Sequence, residues 1–133
     1  MSQWGEFILR KFSKDPSDST SSSVNMDGWT VNNALNQLKS VYPDVKQLIS
    51  GKRVLDFGCG LGYQSVAFYK EGAKEVLGID TNTKSLHQAR RLAKTHEVSE
   101  HVRFKEKIEE GDIGTFDVII SQNSMEHFPD PQQ

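Results

Sequence analysis

Residues 53–65 read RVLDFGCGLGYQS. An apolar run reaches an acid, Asp56, and then breaks into glycines at 58, 60 and 62, separated by Cys59 and Leu61. A run of that length bounded by turn residues predicts a buried strand. Glycine lacks a Cβ, so a glycine-rich turn after a strand admits unusual backbone angles and lets another molecule approach the main chain closely. If a helix follows, the turn's amides face the crevice at the strand's carboxyl end.

The surrounding pattern supports that setting. Ahead of the strand, Val31, Leu35, Leu38 and Val41 repeat at helical spacing from Thr30. Pro43 suits the first turn of a second helix whose inner side would be Val45, Leu48 and Ile49, ended by Gly51. After the glycines, Val66, Ala67 and Phe68 predict a helix that stops near Gly72, and EVLGID at 75–80 predicts the next strand. Thr81 and Thr83 are expected to cap a helix running to about Thr95, with Leu86, Ala89, Leu92 and Ala93 inward. VRFKE at 102–106 and FDVIISQ at 116–122 complete a set of four strands. Strands alternating with helices predict an α/β fold with a doubly wound, mainly parallel sheet and helices on both faces. Such a sheet has strands on both sides of its crevice, and the sequence stops just after the fourth one. Residues 30–133 therefore read as the N-terminal part of a longer domain, truncated after that strand.

Residues 1–29 read as an extension. Trp4, Phe7, Ile8, Leu9 and Phe12 form an apolar cluster suited to docking on the body or on a partner, and the Ser- and Asp-rich stretch 13–28 reads as a linker or lid. Sixteen basic and eighteen acidic residues among 133 give a net charge of −2, so no basic field argues for nucleic acid. One cysteine cannot form an internal disulfide, no leader or membrane-spanning run is visible, and a cytoplasmic setting is the expectation. Oligomeric state is not legible.

A second acid, Asp80, ends the second strand 22 residues after Gly58. There a carboxylate can accept both hydroxyls of a ribose; its bland role is capping the next helix. Two kinds of cofactor compete for such a site. A dinucleotide fingerprint is G-x-G-x-x-G, with pyrophosphate over the helix start. Here the spacing is G-x-G-x-G, and Asp56 at the lip would repel a pyrophosphate and attract an ammonium group. A nucleoside with a cationic tail and no phosphate fits, and S-adenosyl-L-methionine answers that description.

VLDFGCGLG, VLGID and FDVIISQNSMEHFPDP together resemble the Rossmann-like, class I S-adenosylmethionine-dependent methyltransferases over roughly residues 50–131, nearest in the last stretch to those acting on small molecules. The resemblance implies methyl transfer to a small-molecule acceptor. It places Asp56, Gly58 and Gly60 along the methionine part of the cofactor, with Cys59 a small residue within that turn. Asp80 would take the ribose hydroxyls, Thr81 would lie beside the adenine, and Ser121 and Gln122 would sit near the methionine or methyl group. One departure concerns the adenine amino group. The family often holds it with an acid after the third strand, where this chain has Ile108, followed by Glu109. Backbone groups of residues 107–109 or the Glu109 side chain would take that role.

No catalytic residue is assigned. His127 could serve as a general base or simply pack, and His87, His96 and His101 lack metal-ligand spacing. A nicotinamide-dependent oxidoreductase and a non-catalytic module on the same fold are the competing readings.

Overall fold

A computed structural model describes residues 30–121. The expectations for residues 1–29, for Gln122 and for His127 lie outside that range. The chain runs through α1 (Asn36–Val41), α2 (Val45–Ile49), β1 (Arg53–Phe57), α3 (Tyr63–Lys70), β2 (Glu75–Ile79), α4 (Thr83–Thr95), β3 (Val102–Lys105), a 3₁₀ turn at Glu110–Asp112, and β4 (Val118–Ile120). All pairings are parallel, in the order β3-β2-β1-β4. Asp56 sits in register with Gly78 on one side and Ile120 on the other. The order reverses at β1: β2 and β3 step away on one side, and β4 returns to the other. Such a reversal opens a crevice at the carboxyl ends of the strands, where α/β folds bind ligands.

The pleat sorts the strand residues into two sets. Val54, Val76, Val102, Phe104 and Ile120 share one cluster with Leu38, Ile49, Val66, Phe68, Leu86, Ala89 and Ala93 from the helices. Leu55, Leu77 and Ile79 form a second cluster, joined by Phe57, Ile108, Phe116 and Ile119. All the helix residues in these clusters belong to the first set, so among the described residues helices cover one face of the sheet, not two. Burying a side chain such as Leu86 or Phe68, both fully enclosed, is worth about 1.5–3 kcal/mol.

Several local expectations shift. Val31, Leu35 and Leu38 are buried, but Val41 is 59% exposed; Val45 and Ile49 are buried, but Leu48 is 55% exposed. Residues 31–35 form turns, so the first helix starts at Asn36 and not near Thr30. Asn82 caps α4, not Thr81 or Thr83: its side-chain oxygen accepts the Ser85 N–H at 3.1 Å. The fourth strand is shorter than its apolar run. Phe116 and Asp117 precede it, with the Asp117 carboxylate accepting the Arg53 N–H at 3.0 Å. On the second face, a cleft of about 320 Å³ lies between Arg53, Glu75, Leu77, Arg103, Asp112 and Phe116. No helix among the described residues is long and apolar enough to cross a membrane.

Candidate active site

The turn between β1 and α3 is built from left-handed glycines, with φ of 79° at Gly58, 53° at Gly60 and 84° at Gly62. Gly62 is fixed by crowding as well as by its angle. A Cβ there would lie 2.8 Å from the Ala89 Cβ and 2.9 Å from the Phe104 ring. At Gly60 the same construction meets nothing within 4 Å, so this part of the turn faces open space. One glycine lets α3 dock against α4, and the other keeps the main chain accessible.

Three short hydrogen bonds lock the turn onto the end of β2, and a fourth ties that end to the start of α4. The N–H groups of Gly58 and Cys59 both donate to the Ile79 carbonyl, at 2.7 and 3.0 Å. The Gly60 N–H donates to one Asp80 carboxylate oxygen at 2.8 Å, and the Asn82 N–H donates to the other at 2.8 Å. Asp80 thus joins the glycine turn to the start of α4. Each oxygen carries one backbone donor and keeps lone-pair capacity for another. The Asp80 side of the turn therefore offers a partly buried, pre-positioned acceptor beside an open stretch of backbone.

Asp56 occupies a different place from the open lip that its position in the sequence suggests. It is 2% exposed and points to the helix-covered face, where the Ser65 hydroxyl donates to its carboxylate at 2.5 Å. Burial pushes its pKa up to about 7; the Ser65 hydrogen bond works in the opposite direction, and the nearby Asp80 charge adds to the rise. The site thus has one acid beside the opening and another sealed beneath it. Cys59 is also enclosed, and burial first, then the charges of Asp56 and Asp80, push its thiol well above the ordinary range. A thiol held protonated in this way is a poor nucleophile.

The remaining expected residues flank these. Thr81 is exposed immediately after Asp80. Ile108 packs against the second cluster, whose buried members are Leu55, Leu77 and Ile79, and adds an apolar surface there. The Glu109 side chain is engaged locally. It accepts from the first turn of the 3₁₀ segment in a capping box with Asp112, and from Lys105 Nζ at 3.2 Å. The Glu109 N–H donates to Asp112 at 3.0 Å. That bond and Lys105 hold the Asp112 carboxyl below its usual range. Ser121, fully buried, follows β4 at the carboxyl end of the sheet. Gly60 is joined directly to Asp80, Gly58 and Cys59 are tied to the preceding Ile79, Asp56 lies beneath them, and Glu109 is drawn into its own small network. Ser65 and Asn82 were missed by sequence reasoning. Asn82 carried a usable signal, since Asn is a strong N-cap residue one position before Thr83.

A family model described as a methyltransferase domain matches residues 48–133. The ubiquinone biosynthesis O-methyltransferase of Neisseria meningitidis is 39% identical over 101 residues, covering 73% of this chain and 42% of that protein. The chain thus spans about two fifths of the length of that curated relative. Among solved structures, the YcgJ protein from Bacillus subtilis superposes with a TM-score of 0.59 at 26% identity, covering 71% of this chain and 41% of that one. A SAM-dependent methyltransferase from Thiobacillus denitrificans, solved with S-adenosyl-L-homocysteine, gives a TM-score of 0.51 at 25% identity, covering 64% and 35%.

Proposed function

The chain belongs to the methyltransferase-domain family, and from that premise we propose that it binds S-adenosyl-L-methionine at the Gly58–Gly62 turn and serves methyl transfer to a small-molecule acceptor. The observation that carries the reading is the Asp80 carboxylate, fixed by Gly60 and Asn82 with both oxygens still able to accept. A vicinal diol presents two donors to such a carboxylate, and charged acceptors make the stronger hydrogen bonds. The open backbone at Gly60 admits the methionine part of the ligand, with Gly58 and Cys59 completing that wall. Thr81 and Ile108 border the adenine, with Ile108 as an apolar support; residues 107–109 supply the polar edge. Ser121 lies towards the methyl group.

When bound, the cofactor supplies an electrophilic methyl group on a sulfonium that is already a good leaving group. The protein's contribution is orientation. Asp80 and the turn hold the donor at the carboxyl end of the sheet, so that an acceptor atom can be brought into line. A small-molecule acceptor is supported by the O-methyltransferase relative and by a net charge of −2, which carries no basic excess. Residues 30–133 are read as the N-terminal part of the cofactor-binding domain, preceded by the extension 1–29.

Titration calorimetry with S-adenosylhomocysteine and with NADH tests the reading. Binding of the first and not the second is expected, and tight NADH binding with none of the homocysteine compound overturns it in favour of an oxidoreductase. Asp80→Ala should weaken S-adenosylhomocysteine by about ten- to a hundredfold, corresponding to ~1–3 kcal/mol for stranded hydrogen-bonding groups. Unchanged affinity would remove Asp80 from the ribose site.

A further inference from the structure

Lys105 has no place in the cofactor contacts above, yet it holds both ends of the loop beside them. It is the last residue of β3 and stands in register with Ile79 of β2. Its main-chain oxygen accepts the Asp80 N–H at 3.2 Å, which seats it next to the acid at the ribose position. Its ammonium group reaches forward along the chain. It donates to the two carboxylate oxygens of Asp112 at 3.0 and 3.2 Å and to Glu109 at 3.2 Å. The capping box closes residues 109–112 on themselves. Among the described residues, Lys105 alone hydrogen-bonds that closed turn to the sheet. Residues 106–108 bridge the space between strand and turn. The Glu109 carboxylate is engaged by Lys105 and the 3₁₀ turn, while the main chain of Lys107 and Ile108 makes no hydrogen bond among the described residues.

We propose that Lys105 is a positioning residue for the adenine base, stapling the 109–112 turn to the end of β3 so that the main chain of Lys107 and Ile108, and not an acidic side chain, reads the base edge. This rests on the cofactor reading above, which puts the adenine at that loop. Adenine's pairing edge sets a donor, the exocyclic amino group, beside an acceptor, ring N1. An ionised carboxylate supplies acceptors only, whereas a main chain supplies N–H donors as well as C=O acceptors. Peptide groups read an edge well only when they are held still, because a loop that must be ordered by its ligand weakens binding. Ile108 anchors this loop on its apolar side, against the cluster of Leu55, Leu77 and Ile79. Lys105 is the polar anchor.

The test compares S-adenosylhomocysteine with its inosine analogue, in which oxygen replaces the amino group and N1 carries a hydrogen. Both are titrated by calorimetry into the protein, Lys105→Met and Lys105→Arg. The protein should prefer the adenine compound by about tenfold or more, since the analogue reverses donor and acceptor at both positions. Lys105→Met keeps the length of the side chain and loses its charge. In it S-adenosylhomocysteine should weaken by about tenfold and the analogue far less, so that the preference nearly disappears. Lys105→Arg keeps donors for both carboxylates and should restore most of the preference, a rescue that a general loss of stability does not produce. Three results overturn the inference while leaving the cofactor reading intact: no preference in the protein, a Lys105→Met that keeps the preference or weakens both ligands equally, and a Lys105→Arg no better than Lys105→Met. A protein that binds neither ligand removes the cofactor reading, and this inference with it.

Discussion

Asp56 shows how one side chain can oppose the fold that contains it. In the unfolded chain it ionises near the ordinary carboxylate value of 3.8, whereas in the folded protein it does so at about 7. Below both values the group is neutral in either state and has no effect. Between them the folded state keeps a proton that the unfolded chain has released, so stability falls as pH rises, and above 7 the full cost is present. At about 1.4 kcal/mol for each tenfold displacement, that cost is roughly 4 kcal/mol. Asp56→Asn should therefore melt several degrees above the parent at pH 8 and close to it at pH 4, read by calorimetric scanning without ligand. Equal melting temperatures at pH 8 would place Asp56 in a wetter environment than the structure gives it. The presence of this acid was legible in the sequence, but its surroundings were not. In a strand, alternate side chains point to opposite faces, so Asp56 follows Val54 to the side that α3 covers. Which side that is depends on tertiary packing. Ser65 gave no signal of its own, because a serine on the inner side of a helix becomes informative only once its partner nine residues earlier is brought beneath it.

At the scale of elements, the junction of β1, the glycine turn and α3 bears the tightest packing. Gly62 touches α4 through Ala89 and β3 through Phe104, at distances that leave no space for a methyl group. Gly62→Ala combines that overlap with a left-handed backbone angle of 84°. The two effects together should cost roughly 2–4 kcal/mol in urea unfolding. A cost below 1 kcal/mol would mean that α4 can retreat from the turn. The strands were legible because Val54–Leu55 and Val76–Leu77 are apolar runs between turn residues, and both faces of the sheet are enclosed at these positions. α1 and α2 were legible as elements but not in their facing. With six and five residues they complete fewer than two turns, so one apolar position in the last two residues of each, Val41 and Leu48, can fall outside the buried stripe. Glu109 was equally ambiguous: an acid at that place in the sequence can serve a ligand, yet Lys105 and Asp112 are close enough to engage it first.

Across the whole molecule, the sheet order β3-β2-β1-β4 puts β1 and β2 between paired neighbours and gives β3 and β4 one described neighbour each. Amide hydrogen exchange should follow that order, slowest at residues 54–56 and 76–78 and fastest among the strands at 118–120. Protection of 118–120 equal to that of β1 would reveal a further partner along β4. The helix-covered face and the face carrying Leu55, Leu77 and Ile79 meet at the carboxyl ends, where the glycine turn, Asp80 and Ser121 follow their strands. That convergence follows from parallel connections, each of which returns the chain to start the next strand in the same direction. The sole cysteine of the chain lies at this junction, enclosed and with its thiol held protonated. Alkylating reagents attack thiolates, so at neutral pH iodoacetamide meets a reactive sulfur only in molecules whose turn has come apart from β2. The rate of labelling at this one atom is thus a clock for opening of the pocket, readable by mass spectrometry without any engineered probe.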